Sequence, residues 1–148
     1  MSVIEVKGDI FDSGMQSLVC PVNCVGAMGA GLALDFRNRV PGLYERYQEY
    51  AFAKKLKMDR LWRFPWEGTG KQVIGFPTKY HWKMSSNKDQ VIANLYRLVS
   101  LREKMQITSL AIPPVGCGLG GLSYENDLRE PMHDVLSVMG IEVRIMVP

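Results

Sequence analysis

The chain has 148 residues, of which 47% are hydrophobic and 22% are charged. This length suits one domain, and the balance of apolar and charged residues excludes a disordered chain. A net charge of +3 permits contact with a polyanion, but it is too small to indicate the dense basic face of a dedicated nucleic-acid binder.

Strands and helices alternate along the chain. We predict six strands, at 3–7, 17–21, 61–64, 72–76, 109–112 and 142–147. A helical stretch over 32–51 is interrupted at Pro41-Gly42, and a second helix runs from Ser85 or Ser86 to about Met105. A third helix is predicted over 123–139, where Pro131 should cause a kink or a late start and Gly140 should end the helix. Six strands and three helices predict an α/β fold with helices on both faces of a sheet. The sheet is expected to be mixed, because two pairs of strands follow one another without a helix.

The three cysteines, Cys20, Cys24 and Cys117, form no C-x-x-C pair. We therefore predict neither a disulfide framework nor a metal site. No apolar run is long enough for a transmembrane helix, and the N-terminus lacks the apolar region of a signal peptide. These observations predict a cytoplasmic protein without a membrane partner.

The most informative stretch is a glycine-rich loop at residues 113–122, which reads P-P-V-G-C-G-L-G-G-L. It follows a predicted strand and precedes a predicted helix. Glycines let successive backbone N–H groups turn toward one point, and a helix N-terminus adds partial positive charge, so this context favours a phosphate site. A glycine-rich loop without a ligand is the alternative.

A second glycine-rich loop, at residues 23–31, has the same strand before it and helix after it. In an open α/β sheet such loops gather at the carboxyl ends of the strands, so the two together predict a ligand with two phosphates. Neither loop matches the fingerprint of a P-loop or of an NAD site.

Four segments of the chain resemble the macrodomain, the ADP-ribose-binding fold. They are V-K-G-D-I at 6–10, V-N-C-V-G-A-M-G-A-G-L-A at 22–33, F-P-T-K-Y-H-W at 76–82 and the loop at 113–122. The resemblance covers nearly the whole chain, as a single macrodomain with a mixed six-stranded sheet. Within the family these segments are most similar to the DNA ADP-ribosyl glycohydrolases, the antitoxins of DarT/DarG systems, and more distantly to the human terminal ADP-ribose glycohydrolase.

The resemblance implies an activity and its partners. The enzyme would remove ADP-ribose from thymine in single-stranded DNA without a metal or cofactor, and so reverse the action of a DNA ADP-ribosyltransferase toxin. We expect a monomer. Two alternatives stay open: a phosphatase acting on ADP-ribose 1″-phosphate, and a non-catalytic module that binds ADP-ribose.

The resemblance also implies roles for individual residues. Asp9 would accept a hydrogen bond from the adenine amino group, with the backbone of Ile10 beside it. Asn23 and residues 26–31 would surround the distal ribose and one phosphate, and residues 116–121 would hold the pyrophosphate. The complete set of implied binding residues is Asp9, Ile10, Asn23, Gly26, Met28, Gly29, Gly31, Thr78, His81, Trp82, Gly116, Cys117, Gly118, Leu119, Gly120 and Gly121.

Lys79 is the principal catalytic candidate, because the matching lysine of the family lies next to the anomeric carbon of the distal ribose. It could attack that carbon as a neutral amine or stabilise the leaving group as a cation. Asn23 and Cys20 are further candidates, although Cys20 stands where the DNA-specific relatives have an asparagine and could instead be a buried apolar residue. Gly120 stands where the human relative has an aspartate. His81 and Trp82 could stack on a nucleobase or pack on the core.

Overall fold

A six-stranded sheet forms the centre of the protein, whose computed structural model describes residues 3–148. The strands are β1 (Val3–Lys7), β2 (Ser17–Val22), β3 (Trp62–Trp66), β4 (Lys71–Pro77), β5 (Ser109–Ile112) and β6 (Glu142–Val147). Their order across the sheet is β1-β6-β5-β2-β4-β3, and every neighbouring pair is parallel except β3 and β4. The predicted mixed sheet is confirmed, but only the β3–β4 hairpin makes it mixed, since β1 pairs with β6 rather than with β2.

Four α-helices connect the strands: α1 (Gly31–Arg39), α2 (Leu43–Phe52), α3 (Lys88–Ser100) and α4 (Arg129–Leu136). The prediction of three was wrong, because the interruption before Leu43 separates two helices. Gly42 there has a φ of 82°, in the left-handed region that favours glycine.

The ends of α3 differ from the prediction. Its cap is Asn87, whose side chain accepts a hydrogen bond from the Gln90 N–H at 3.1 Å. Ser86 does not cap it, because its buried side-chain oxygen accepts no hydrogen bond within the described residues. The helix ends at Ser100, and tighter turns follow it.

The helix predicted over 123–139 consists of three parts. A π-helical turn, Tyr124–Leu128, precedes α4, and a 3₁₀ turn, Ser137–Met139, follows it. Pro131 lies in the first turn of α4, where its missing N–H costs no intrahelical hydrogen bond. The predicted delay in the start of the α-helix is therefore confirmed, as is the end at Gly140, whose φ is 69°.

Helices cover both faces of the sheet, as predicted. One core joins the sheet to α3 and α4 and includes Val19, Ile74, Leu110, Val143, Val91, Leu95, Met132 and Leu136. The other joins it to α1 and α2 and includes Leu18, Val73, Ala111, Phe36, Leu43 and Tyr47. No helix within residues 3–148 has both the length and the apolar composition needed to cross a membrane.

A cluster around Glu5 attaches α4 to β1 and should make stability depend on pH. One Glu5 carboxylate oxygen accepts a hydrogen bond from the Tyr124 hydroxyl at 2.6 Å, forms an ion pair with Arg129 Nε at 2.9 Å and lies 2.9 Å from His133 Nε2. The hydrogen bonds from Tyr124 and His133 lower the pKa of Glu5 below its ordinary value of 4.5. A carboxyl group with a lowered pKa stabilises the fold above its unfolded-state pKa, and that contribution is lost as pH falls through the folded-state pKa.

We expect Glu5→Gln to reduce the free energy of unfolding at neutral pH by about 1 kcal/mol. Urea unfolding in a series from neutral to acidic pH measures the difference, which should shrink only as the pH falls through the lowered folded-state pKa of Glu5, where wild-type Glu5 becomes protonated as well. The matched control is Glu142→Gln, which removes the more exposed ion pair with Arg144 and should have little effect. Equal stability of wild type and Glu5→Gln at neutral pH would contradict this account.

Candidate functional site

A cavity of about 760 Å³ lies at the carboxyl ends of the parallel strands. Its walls come from the loops that follow β2, β4 and β5 and from the chain end after β6, which is where a parallel sheet gathers such loops. Eleven of the residues singled out in the sequence line it: Asn23, Gly29, Gly31, Thr78, Lys79, Trp82, Gly116, Cys117, Gly118, Leu119 and Gly120.

Cys20 does not reach the cavity. It lies in the middle of β2 with its side chain fully buried against α1 and α2, and burial raises the pKa of its thiol far above the ordinary value. The thiol is therefore neutral and shielded from any ligand in the cavity, and the structure does not support the catalytic role considered for it.

Six other predicted residues lie outside the cavity wall: Asp9, Ile10, Gly26, Met28, His81 and Gly121. Ile10 and Met28 are buried in the core beside α1 and α2. The Asp9 carboxylate accepts a hydrogen bond from the Phe11 N–H at 2.9 Å and pairs with Arg39 at 3.2 Å. The His81 ring stacks on Trp82, and Trp82 is 53% exposed at the cavity rather than packed on the core.

The side chain of Asn23 holds the first glycine-rich loop in shape. Its oxygen accepts hydrogen bonds from the N–H groups of Val25 at 3.1 Å and Ala27 at 3.2 Å, and its amide donates to the Ala27 carbonyl at 2.9 Å. The Tyr47 hydroxyl reaches from α2 to the Asn23 side chain at 2.8 Å and to its carbonyl at 2.7 Å. Asn23 therefore acts within its own loop, which it fixes to α2.

Both glycine-rich loops present backbone donors to the cavity. The N–H groups of Gly31, Leu32 and Ala33 begin α1, and no side chain caps that helix. In the second loop the Leu119 N–H has no acceptor among residues 3–148, whereas the Gly118 N–H takes part in the bridge between Cys117 and Leu122. Free N–H groups and a helix N-terminus together attract an anion, as the sequence predicts.

Cys117, in the same loop, lines the cavity with an uncharged side chain. Burial, with a smaller effect of the Asp127 carboxylate, raises the pKa of its thiol to about 11. The thiol is thus protonated at neutral pH and adds no negative charge beside the anion site.

Lys79 lies where the two loops meet. The hydrogen bonds from Thr78 N–H to the Val22 carbonyl at 3.0 Å and from Cys24 N–H to the Tyr80 carbonyl at 2.8 Å continue the β2–β4 pairing on either side of it. Its half-buried side chain crosses to the second loop, where Nζ donates to the Leu119 carbonyl at 3.3 Å. Within residues 3–148 no carboxylate pairs with this amine.

Glycine is required at position 120 because a side chain there would be too close to Ser86, and not because the backbone has a left-handed φ. A β-carbon at this position would lie 2.5 Å from the Ser86 hydroxyl oxygen and 3.2 Å from the Ser86 β-carbon. The Ser86 oxygen is buried, and the Ser86 N–H holds the Gly120 carbonyl at 2.8 Å, so the two residues cannot easily separate.

We expect Gly120→Ala to lower the free energy of unfolding by about 1–3 kcal/mol, as overpacking does. Adding Ser86→Ala should restore most of the loss by removing the nearest atom, and thermal unfolding of the single and double variants measures it. The control is Gly29→Ala, whose β-carbon would meet nothing within 4 Å. A Gly120→Ala protein as stable as this control would contradict the contact explanation.

A sequence model of the family described as Macro domain matches residues 19–129. The chain belongs to the macrodomain family. The macrodomain is 35% identical over 125 residues to the DNA ADP-ribosyl glycohydrolase of Mycobacterium tuberculosis, a match that covers 81% of this chain and 35% of the relative. It is 33% identical over 160 residues to a DNA ADP-ribosyl transferase-DNA ADP-ribosyl glycohydrolase fusion protein of Thermosipho africanus, covering 97% of this chain and 41% of the fusion. The macrodomain thus spans well under half the length of these relatives.

Solved structures agree with the family. The macrodomain of Mycobacterium tuberculosis DarG superposes with a TM-score of 0.91 at 29% identity, over 99% of this chain and 97% of the other. Thermosipho africanus DarTG in complex with ADP-ribose gives a TM-score of 0.92 at 33% identity, over 100% of this chain and 42% of the other. The predicted fold and family are therefore confirmed.

The sequence did not identify two residues that shape the macrodomain's site. Tyr47 looks like an ordinary packing residue of α2, although its hydroxyl fixes Asn23. Asn94 is fully buried on α3, where its amide donates to the Pro77 carbonyl at 2.8 Å and to the Met58 carbonyl at 2.9 Å. A polar residue on the apolar stripe of α3 was the only sign of it in the sequence.

Proposed function

We propose that this macrodomain hydrolyses the N-glycosidic bond between ADP-ribose and thymine in single-stranded DNA. The observation that carries the proposal is the Lys79 amine, which lies between the two glycine-rich loops, each with backbone N–H donors at the cavity, and has no carboxylate partner within the described chain. The names of the relatives, DNA ADP-ribosyl glycohydrolases, support the same activity.

The order of the strands supports one direction for ADP-ribose in the proposed site. Across the sheet run β1, β6, β5, β2 and β4, so Asp9, Pro148, the loop at 113–122, Asn23 and Lys79 follow one another along its carboxyl edge. Adenine would lie toward Asp9, the pyrophosphate between the two glycine-rich loops, and the distal ribose beside Lys79. Adenine, pyrophosphate and distal ribose follow one another in this same order along the ADP-ribose molecule. The complex of Thermosipho africanus DarTG with ADP-ribose supports the binding of this ligand.

Lys79 has two chemically distinct ways to break the bond. As a neutral amine it would form a bond to the anomeric carbon while the thymine nitrogen leaves with the bonding electron pair and takes up a proton. Water would then hydrolyse the adduct, release ADP-ribose and restore the amine. As a cation it would stabilise the charge that develops on the departing thymine while water attacks the carbon directly. The scheme requires no metal in either form.

We further infer that the substrate is produced by a DNA ADP-ribosyltransferase toxin, which this macrodomain would counteract in the cytoplasm. The Thermosipho africanus fusion protein, whose name joins a transferase to a glycohydrolase, supports this pairing. We propose that the macrodomain acts as a monomer, because one chain supplies every wall of the cavity.

Three substrates test the proposal against its alternatives. Wild type should release ADP-ribose from single-stranded DNA carrying ADP-ribosyl-thymine, bind free ADP-ribose, and leave ADP-ribose 1″-phosphate intact. Binding without any cleavage would assign a non-catalytic binding module instead. Release of phosphate from ADP-ribose 1″-phosphate alone would assign a phosphatase.

A further inference from the structure

A second pocket, of about 480 Å³, opens on the other side of Lys79. Thr78 and Lys79 line both cavities, so the lysine amine stands on the boundary between them. A group attached to the distal ribose carbon beside Lys79 would have to leave the first cavity here. The remaining walls of the pocket come from the loop after β4, the start of α3 and Met58.

The chemistry of the pocket suits a pyrimidine base. Tyr80 and Met84 are 54% and 52% exposed at its wall and offer flat or adaptable apolar surface for a base to stack on. The Ser85 hydroxyl and the Asn87 amide NH₂ make no hydrogen bond within residues 3–148, since Asn87 uses only its oxygen to cap α3. Thymine presents two carbonyl acceptors, and these two groups are donors.

A lysine-rich loop adjoins the pocket. Between α2 and β3 the chain reads K-K-L-K-M-D-R over residues 54–60, and Met58 of this loop lines the pocket. Lys55 and Lys57 are exposed and form no ion pair within the described part of the chain. Residues 54–60 carry four cations against the one carboxylate of Asp59, and a net positive loop beside the pocket fits the phosphates of a nucleic-acid strand.

Asn94 fixes this loop relative to Lys79. Its buried amide donates to the Met58 carbonyl at 2.9 Å and to the Pro77 carbonyl at 2.8 Å, two residues before Lys79, and Gln90 adds a second bond to Met58 at 3.0 Å. The lysine-rich loop, the second pocket and Lys79 are therefore held as one unit by α3.

We propose that the second pocket holds the modified base and that Lys55 and Lys57 bind the phosphates of the nucleotides beside it. The substrate would thus be a single-stranded polynucleotide whose chain continues out of the site across the lysine-rich loop. This inference rests on the proposed function, because it places the group from which ADP-ribose is released.

The test compares an ADP-ribosylated oligonucleotide with ADP-ribosyl-thymidine, which has the base but no flanking phosphates. The charge-reversal variant is Lys55→Glu/Lys57→Glu, and the matched control is Lys71→Glu/Lys104→Glu, whose lysines lie at the opposite edge of the sheet near the starts of β4 and β5. We expect KM for the oligonucleotide to rise about 10-fold in the first variant at low salt, with KM for the nucleoside and affinity for ADP-ribose unchanged. The slope of log KM against log salt should become shallower by roughly 1.4, the value for two lost phosphate contacts on a single strand.

Tyr80→Ala/Met84→Ala tests the pocket itself and should raise KM for the oligonucleotide and the nucleoside alike. An equal KM for the oligonucleotide in the two lysine variants would overturn the proposed strand path. The path would also be overturned if an acidic peptide inhibited cleavage of the oligonucleotide as effectively as unmodified DNA does. If wild type cleaves neither substrate, the proposed activity fails, and the binding of unmodified oligonucleotide then decides the strand path. Weaker binding by Lys55→Glu/Lys57→Glu than by the control supports the path, and equal binding overturns it.

Discussion

Lys79→Ala should lower the rate of ADP-ribose release from modified DNA by a factor of about 10²–10⁴, the range typical of a lost acid–base or nucleophilic group. Affinity for free ADP-ribose should stay within about threefold of wild type, because the proposed pyrophosphate site consists of backbone N–H groups and does not include this amine. Single-turnover cleavage and calorimetric titration of ADP-ribose measure the two quantities separately. Lys104→Ala, an exposed lysine at the far edge of the sheet, is the control and should change neither.

Lys79→Arg separates the two possible roles of the amine. Arginine keeps the positive charge but is a very poor nucleophile, so a cationic role predicts substantial remaining activity and a nucleophilic role predicts none. Borohydride should trap a covalent adduct on wild type only in the nucleophilic case. If Lys79→Ala retained full turnover, the assignment of Lys79 as the catalytic residue would be wrong.

Asn23→Ala should cause the second large effect, on stability and binding together. Its side chain makes four hydrogen bonds, to Val25, Ala27 and Tyr47, and it is 7% exposed. Removing it leaves buried partners unsatisfied, so we expect the free energy of unfolding to fall by about 2–4 kcal/mol. Affinity for ADP-ribose should fall as well, because the loop that begins α1 loses its shape.

Denaturant unfolding and ADP-ribose titration measure both effects of Asn23→Ala. The matched control is Asn38→Ala, an exposed asparagine on α1, which should be close to neutral. Tyr47→Phe should cost less alone and little more on top of Asn23→Ala, since the two residues share one network. An Asn23→Ala protein as stable as the Asn38→Ala control would refute the positioning role.

The sequence was sufficient to predict the parts of the site that depend on local order. A strand, a glycine-rich loop and a helix follow one another in the chain twice, and parallel strands bring such loops to one edge of the sheet. Lys79 was predicted from the family motif, and it reaches the same edge of the sheet because it is the second residue after β4. The residue types in these loops then matched those of the macrodomain family.

The parts that could not be predicted depend on contacts between distant segments. For Cys20 the sequence left a catalytic and a buried role open, and the packing of α1 and α2 on that face of β2 decides for the buried one. Asn94 lies 17 residues from Pro77 and 36 from Met58, so no residue near it in the sequence predicts its two hydrogen-bond partners. The pairing of β1 with β6 joins the two ends of the chain and likewise has no local signal.

The most direct test of the central claim is the mass of a single-stranded oligonucleotide carrying one ADP-ribosyl-thymine after incubation with wild type. The account predicts that the oligonucleotide returns to its unmodified mass and that free ADP-ribose appears in equal amount, while with Lys79→Ala the modified mass persists. A modified mass that persists with wild type, at protein concentrations that bind ADP-ribose, would contradict it.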